Sequence, residues 1–269
     1  MQNIIKNLRL NSFGITGKFL TDITSADDLH QLIKNLHPVE TEKQLLRFGA
    51  PNDGGYLIPD DLEGISACFS PGVAEVSDFE NECAERGMNV YLADYSVENA
   101  ARDNTRFHFT KKYIGVTSND KFMTLDDWVH HHAVDSDQDL MLQIDIEGFE
   151  YEVFLSATPF LMSRFRIIVA EFHRLDQWWS KPFFKIASRT FDKILETHHC
   201  VHLHPNNVRG SVIRAGIEMP INMEFTFLRK DRVKTVYLRH QFPHPLDTDN
   251  VSAAHLPLPR CWYNSEPNS

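Results

Sequence analysis

Several things are missing from this sequence, and each absence closes off a class of protein. No apolar run approaches the ~20 residues that a membrane-crossing helix needs. The opening stretch, MQNIIKNLRLNSFGITGKFL, has neither a continuous apolar core nor a small-residue cleavage site, so no signal peptide is read there. Lys6, Arg9 and Lys18, with no acid before Asp22, fit a solvated first helix better than a membrane-surface anchor. Positive charge is also in short supply: the formal net charge is −10. Such a surface is a poor match for nucleic acid, whose binding rests on Lys and Arg neutralising phosphates. The cysteines, Cys68, Cys83, Cys200 and Cys261, are scattered without a CxxC pair. That fits a reduced, cytoplasmic chain rather than a disulfide scaffold. Cys200, His202 and His204 alternate along one segment, but a structural zinc site there lacks an evident fourth ligand.

What is present is alternation. A helix is expected from Ala26 to Phe48, with Leu29, Leu32, Ile33 and Leu36 at helical spacing and Ser25 or Thr24 as its cap. The Gly- and Pro-rich RFGAPNDGGYLIPDD next to it reads as loop. Strand Ile65–Ser70 leads to a helix over Val76–Arg86, which Gly87 ends. Then come strand Asn89–Ala93, a polar helix, a strand region over Phe107–Val116 and a short helix over Thr124–His132. Leu140–Ile146 and Arg166–Phe172 are apolar runs of the buried parallel type. A helix over Phe183–Thr197 precedes strand Cys200–His204. Asn222–Leu228 and Thr235–Arg239 read as a terminal hairpin, and the proline-rich remainder as irregular. The alternation predicts an α/β fold, a mostly parallel sheet with helices on both faces.

In such doubly wound sheets ligands bind at the carboxyl ends of the strands. Gly72 lies just after the first strand and permits a tight turn close to a helix N-terminus. No GxGxxG surrounds it, which weakens a dinucleotide reading. Asp94 ends the second strand and is suited to a ribose diol, or alternatively to capping the next helix; Tyr95 is suited to an adenine ring. In LQIDIEGFEYEVF, Asp145 and Glu147 share one face, and in IIVAEFH Glu171 and His173 do so again. His202 and His204 end the sixth strand. Acids and histidines therefore gather at one sheet edge. Trp178 and Trp179 are either core or an apolar wall over that edge.

Taken in order, RFGAPNDGGYLIP, CFSPGVAEVSDFE, VYLADYS, MTLDDWV, LQIDIEGFEYEVF, IIVAEFH, HLHPNN and MEFTFLRK resemble the FkbM family of S-adenosylmethionine-dependent methyltransferases, over roughly Arg47 to Lys230. The IDIEGFE element is the most specific part. SPGVAEVS lacks the several glycines of many methyltransferases. The resemblance implies a doubly wound, seven-stranded, Rossmann-like methyltransferase sheet whose last strand is antiparallel. It implies S-adenosylmethionine held by Ser70, Gly72, Asp94 and Tyr95, with Asp53, Gly54, Gly55 and Tyr56 closing near the amino-acid end. It also implies O-methylation of a sugar or other small molecule.

The expected organisation is an N-terminal helical extension (1–46), the methyltransferase domain (47–240) and an irregular tail (241–269). A hydroxyl acceptor is too weak an acid to ionise unaided. His173 or Glu171 is suited to serve as base, or a Mn²⁺ or Mg²⁺ ion on Asp145, His173 and His204 to acidify it, with Glu171 behind. The rival readings are a methyltransferase-like binding module without activity and a nucleotide-sugar- or NAD-dependent enzyme.

Overall fold

The computed structural model describes residues 20–73, 76–132 and 137–264. The N-terminal stretch before residue 20, expected as a solvated helix, lies outside them. Seven strands form the central sheet: β4 (Ile65–Pro71), β5 (Asn89–Ala93), β6 (Phe107–Thr110), β9 (Asp139–Ile144), β10 (Phe165–Phe172), β11 (His198–Pro205) and β14 (Met223–Arg229). Their order across the sheet is β11-β14-β10-β9-β4-β5-β6. All pairings are parallel except those of β14, which runs antiparallel to both β10 and β11. The chain winds outward from β4 through β5 to β6, then crosses back to β9. This places the reversal of strand order between β4 and β9, the point where a doubly wound sheet opens a crevice. The sheet matches the arrangement implied by the family resemblance.

Both faces of the central strands are buried, so side chains alternate between two cores. Phe69, Leu140, Leu142, Ile168, Ala170 and Phe172 point to one face. Covering that face are α1 (Ala26–Asn35), α3 (Leu125–His131), α4 (Glu150–Ser156), α5 (Pro159–Arg164) and α6 (Lys181–Thr197). Cys68, Val90, Met141, Ile167 and Val169 point to the other. There α2 (Asp78–Glu85) packs with a hairpin made of β2 (Leu45–Gly49) and β3 (Gly55–Pro59). Thr226 Oγ1 ties the sheet to this hairpin by donating to the Leu57 carbonyl at 2.7 Å. Residues two apart share a face, so Gln143, Glu171 and Glu224 all look toward the hairpin.

The structure revises several sequence expectations. The first helix stops at Asn35, not Phe48, and Ser25 caps it by accepting the Asp28 N–H. Pro38, just past the terminal Leu36, lacks an N–H and cannot continue the helix. The chain therefore extends, and Val39–Glu40 forms β1. The stretch read as loop is mainly the β2–β3 hairpin, its turn confined to residues 50–54. Buried Phe48, Tyr56 and Ile58 drive that hairpin onto the sheet. No helix lies between Ala93 and Phe107. Asp94 instead accepts from the Ser96 N–H and hydroxyl, locking a turn, and that polar stretch has no apolar stripe to bury. Phe107–Val116 splits between β6 and β7 (Tyr113–Gly115), which pairs with β8 (Phe122–Thr124). The expected terminal hairpin does not form. β14 inserts into the main sheet, and β15 (Tyr237–Leu238) pairs with β1. A hairpin of β12 (Ser211–Arg214) and β13 (Ile217–Pro220) went unread, because its burial pattern is weak on β12.

Trp178 and Trp179 are core rather than a wall over the strand ends. Trp178 packs on Phe191 and Trp262 and donates to the Tyr151 hydroxyl at 3.1 Å. No helix among the described residues is long and apolar enough to cross a membrane.

Candidate functional site

Gly72 lies just past β4 at the point of strand reversal, with φ +88°. A Cβ there would come within 1.6 Å of the Asp145 carbonyl oxygen. Glycine is required because the β9 end crosses directly over it. The Gly72 N–H donates to the Ala93 carbonyl, and the Asp145 N–H to the Pro71 carbonyl. Three strand ends are thereby laced together. Beside them lies a cavity of about 300 Å³, lined in part by Asn52, Asp53, Tyr56, Gly72, Glu80 and Asp145. Asp78 also lines it, and there is no Lys or Arg among the described residues of the lining. A ligand carrying positive charge suits such a lining; a pyrophosphate does not.

The floor of the cavity is a buried polar network. Ser70 Oγ sits 2.5 Å from Glu80 Oε1 and 2.6 Å from Gln143 Oε1. Gln143 Nε2 reaches the Tyr56 hydroxyl at 3.4 Å. Burial raises the Glu80 carboxyl above its usual range and the Tyr56 phenol well above its own. Glu80 occupies the fourth place of Ser77-x-x-Glu80, the signature of a capping box. Yet Ser77 makes no side-chain cap bond, and Glu80 turns to Ser70 instead.

His173 is the centre of the second group. It lies just past β10 and is only 7% exposed. Its Nδ1–H donates to Glu150 Oε1 at 3.1 Å, and Glu150, fully buried, also accepts the N–H groups of Ile146 and Gly148 at 3.1 and 3.0 Å. One carboxylate thus fixes both the Asp145–Gly148 turn and the imidazole's orientation. That turn is strained: Glu147, not a glycine, sits at φ 57°. With Nδ1 engaged, Nε2 faces Glu147 at 3.6 Å and both Asp145 and Glu171 at 3.8 Å. Burial alone would lower the His173 pKa, but Glu150, Asp145 and Glu147 outweigh it and raise it. Burial pushes Asp145 up to about 7, with His173 opposing and the neighbouring acids reinforcing. Glu171 is driven well above the carboxylate range by burial and by Asp145 and Glu224.

A third group adjoins these on the β14 side. Glu224 pairs across the sheet with Glu171, and burial pushes it up to about 8. Asn250 Nδ2 donates to both Glu224 and Asp53, at 2.7 and 3.1 Å. The Asp53 N–H donates back to the Asn250 carbonyl. Asp247 accepts from His202 Nε2 at 2.8 Å and lies 3.8 Å from His204 Nδ1. Through these bonds the C-terminal strap, residues 244–254, lies across the carboxyl edge of the sheet.

The residues singled out from sequence fall into distinct places. Asp53, Tyr56, Gly72 and Asp145 line the cavity. Ser70 lies beneath it, and Gly55 is packed in the hairpin, where a Cβ would meet the Ala50 carbonyl at 1.9 Å. Asp94 and Tyr95 follow β5 outside that lining, with Asp94 accepting from Ser96 and Tyr95 against Tyr113. Asp145, Glu171 and His173 converge. His204 does not join them, since its near contact is Asp247; Glu147 takes the third place, and the ligand atoms of Asp145, Glu147 and His173 lie within 4.8 Å of one another. Glu80, Gln143, Glu150, Glu224, Asp247 and Asn250 escaped sequence reading. Glu150 had one signal, an acid three residues past Glu147 amid the apolar FEYEVF.

Comparisons with known proteins bear on this arrangement. Among curated proteins, none matches the sequence. Similar solved structures include a prophage-encoded E. coli chain described as a DNA modification methyltransferase, at 10% identity and TM-score 0.40, with 62% of this chain and 47% of that one covered. This chain thus spans about half the length of that relative. Another is a 16S rRNA adenine N1-methyltransferase from Catenulisporales acidiphilia, at 11% identity and TM-score 0.31, covering 76% and 99%. A third is the 1,6-didemethyltoxoflavin N1-methyltransferase of Burkholderia thailandensis with bound 1,6-didemethyltoxoflavin and S-adenosylhomocysteine, at 13% identity and TM-score 0.31, covering 62% and 72%. At these scores they carry no argument about residues. The family profile described as the methyltransferase FkbM domain matches residues 62–200, just over half the chain and the span from β4 to the start of β11 that carries Gly72, Asp145, Glu150, Glu171 and His173. The chain belongs to the FkbM family of S-adenosylmethionine-dependent methyltransferases.

Proposed function

We propose that this enzyme transfers the methyl group of S-adenosylmethionine to a hydroxyl oxygen of a sugar or other small molecule, with His173 as the base. The observation that carries the reading is His173 itself, oriented by Glu150 with Nε2 turned toward the acids beside the carboxylate-lined cavity. Methyl transfer is an in-line displacement at a sulfonium carbon, so the protein's tasks are alignment and removal of the acceptor proton. Asp53, Glu80 and Asp145 supply negative potential for the sulfonium and amino groups. Asp94, after β5, is assigned to the ribose and Tyr95 to the adenine; in the cofactor-bound protein Asp94 exchanges its Ser96 bonds for the diol. Ser70 supports the cavity floor from below.

A second form of activation is kept for one observation. Asp145, Glu147 and His173 offer two oxygens and a nitrogen within 4.8 Å, and the buried Asp145 Oδ1 has no hydrogen-bond partner among the described residues. That donor set suits Mn²⁺ or Mg²⁺, which when bound would acidify the acceptor hydroxyl. In that form Glu171 serves as the base. The test is transfer of labelled methyl to a panel of glycosides. His173→Ala is expected to keep cofactor affinity and lose turnover by roughly 100-fold. Full transfer by His173→Ala would refute the assignment, and unchanged transfer after complete EDTA treatment would remove the metal form alone.

A further inference from the structure

A second cleft of about 630 Å³ opens between the tip of the β2–β3 hairpin and the C-terminal strap. Residues 51–52 form one side and 248–253 the other. It adjoins the cofactor cavity, with Asn52 lining both. The geometry points to this cleft as the subsite that holds the methyl acceptor, and to an uncharged, hydroxyl-rich molecule as its occupant. The proposal rests on the methyltransferase reading above and adds to it where the acceptor sits and which charge it carries.

The chemistry of the walls carries the argument. Asn52, Thr248, Asn250 and Ser252 offer amides and hydroxyls, the groups that exchange hydrogen bonds with hydroxyls in either direction. Thr248 Oγ1 and Asn250 Oδ1 are buried without a partner among the described residues, Asn250 being only 3% exposed. Asp249 is the single charged side chain among the described residues of the lining, and it is paired with His255 at 2.8 Å. Behind the strap stand Asp53 and Asp247. The nearby cation, Arg47, directs its guanidinium to the Ala50 and Asn52 carbonyls. A phosphate- or carboxylate-bearing sugar would therefore enter a field of its own sign, with no Lys or Arg among the described residues of the lining to meet it.

Ligand-observed saturation-transfer NMR on the full chain loaded with S-adenosylhomocysteine tests this. The probes are a panel of neutral methyl glycosides and the corresponding sugar phosphates. Neutral glycosides are expected to give saturation transfer and the phosphates at least tenfold less. Ser252→Trp, at an exposed position on the strap, fills the cleft without removing a hydrogen bond. It is expected to abolish the glycoside signals while S-adenosylhomocysteine affinity stays within twofold. Glycoside signals that survive in Ser252→Trp, phosphates that bind as well as neutral probes, or no glycoside binding by cofactor-loaded protein would each overturn the proposal. Failure of the folded wild type to bind S-adenosylhomocysteine would instead overturn the methyltransferase reading.

Discussion

Replacing Gly72 by alanine perturbs the site at its most crowded point, and Gly87→Ala provides the control. Both glycines have φ near +90°, so alanine at either position bears the left-handed penalty of ~1–2 kcal/mol. At Gly87 nothing lies within 4 Å of the added carbon. At Gly72 the same carbon falls 1.6 Å from the Asp145 carbonyl oxygen, which is backbone and has no rotamer to escape through. The β9 end must retreat by an ångström or more. Overpacking of this kind adds ~1–3 kcal/mol. For a domain of this size each kcal/mol lowers the melting temperature by roughly 2–4 °C. Gly87→Ala is therefore expected to melt about 2–8 °C below wild type, and Gly72→Ala about 2–12 °C lower again. Function separates the two further. A displaced Asp145 misaligns the cofactor cavity and the turn that Glu150 holds, and an ångström of misplacement costs about 100-fold in rate. Differential scanning calorimetry with cofactor titration reads both effects. Equal melting temperatures for the two variants, or undiminished cofactor binding by Gly72→Ala, would refute the packing argument.

Other consequences are as specific. Glu150→Gln keeps an oxygen for the three donors but removes the charge beside His173; it is expected to fold normally, bind cofactor normally and lose about 10–100-fold in kcat. The ascending limb of its pH profile is expected to shift to lower pH, since Glu150 raises the His173 pKa; an unmoved limb with full kcat would deny Glu150 its positioning role. Asp94→Ala is expected to weaken cofactor binding with little change in kcat at saturation, and the opposite split would move Asp94 out of the cofactor site. His198, fully buried and bonded to the Phe165 carbonyl, is held down to about 4 by burial. Its folded pKa lies below the unfolded 6.5, so the unfolded chain takes up the proton first. Stability is therefore expected to fall by about 3 kcal/mol between pH 6.5 and 4 on this account. His198→Gln should flatten that part of a urea-denaturation series, and an identical slope in the variant would show that His198 does not cause it.

The sheet was legible because its strands are buried on both faces and announce themselves as apolar runs: β5 is Asn89–Ala93 in both readings, and β9 and β10 agree to within two residues. The segments from 36 to 60 and from 94 to 106 were not. Pro38 and a hairpin held to the sheet by Phe48, Tyr56 and Ile58 overrode helical spacing in the first. In the second, the Asp94–Ser96 turn left nothing for a helix to bury. The site was legible where alternation along a strand governs, which put Glu171 and His173 on one face. It was illegible where contacts cross long sequence distances. Glu150 meets His173 only after α4 docks, and Asn250 meets Asp53 only after the strap crosses the sheet edge. Grouping His204 with Asp145 assumed that all strand ends converge, whereas β14 lies between β10 and β11 and leaves His204 to Asp247.

The cavity at Gly72 is assigned to a sulfonium nucleoside. Calorimetric titration of the folded chain with S-adenosylmethionine, and in parallel with NAD and a nucleotide sugar, tests it most directly. The account predicts saturable one-to-one binding of S-adenosylmethionine, weakened at least tenfold in Asp53→Asn, and no heat from the pyrophosphate ligands. Binding of NAD or the nucleotide sugar with no response to S-adenosylmethionine would contradict it.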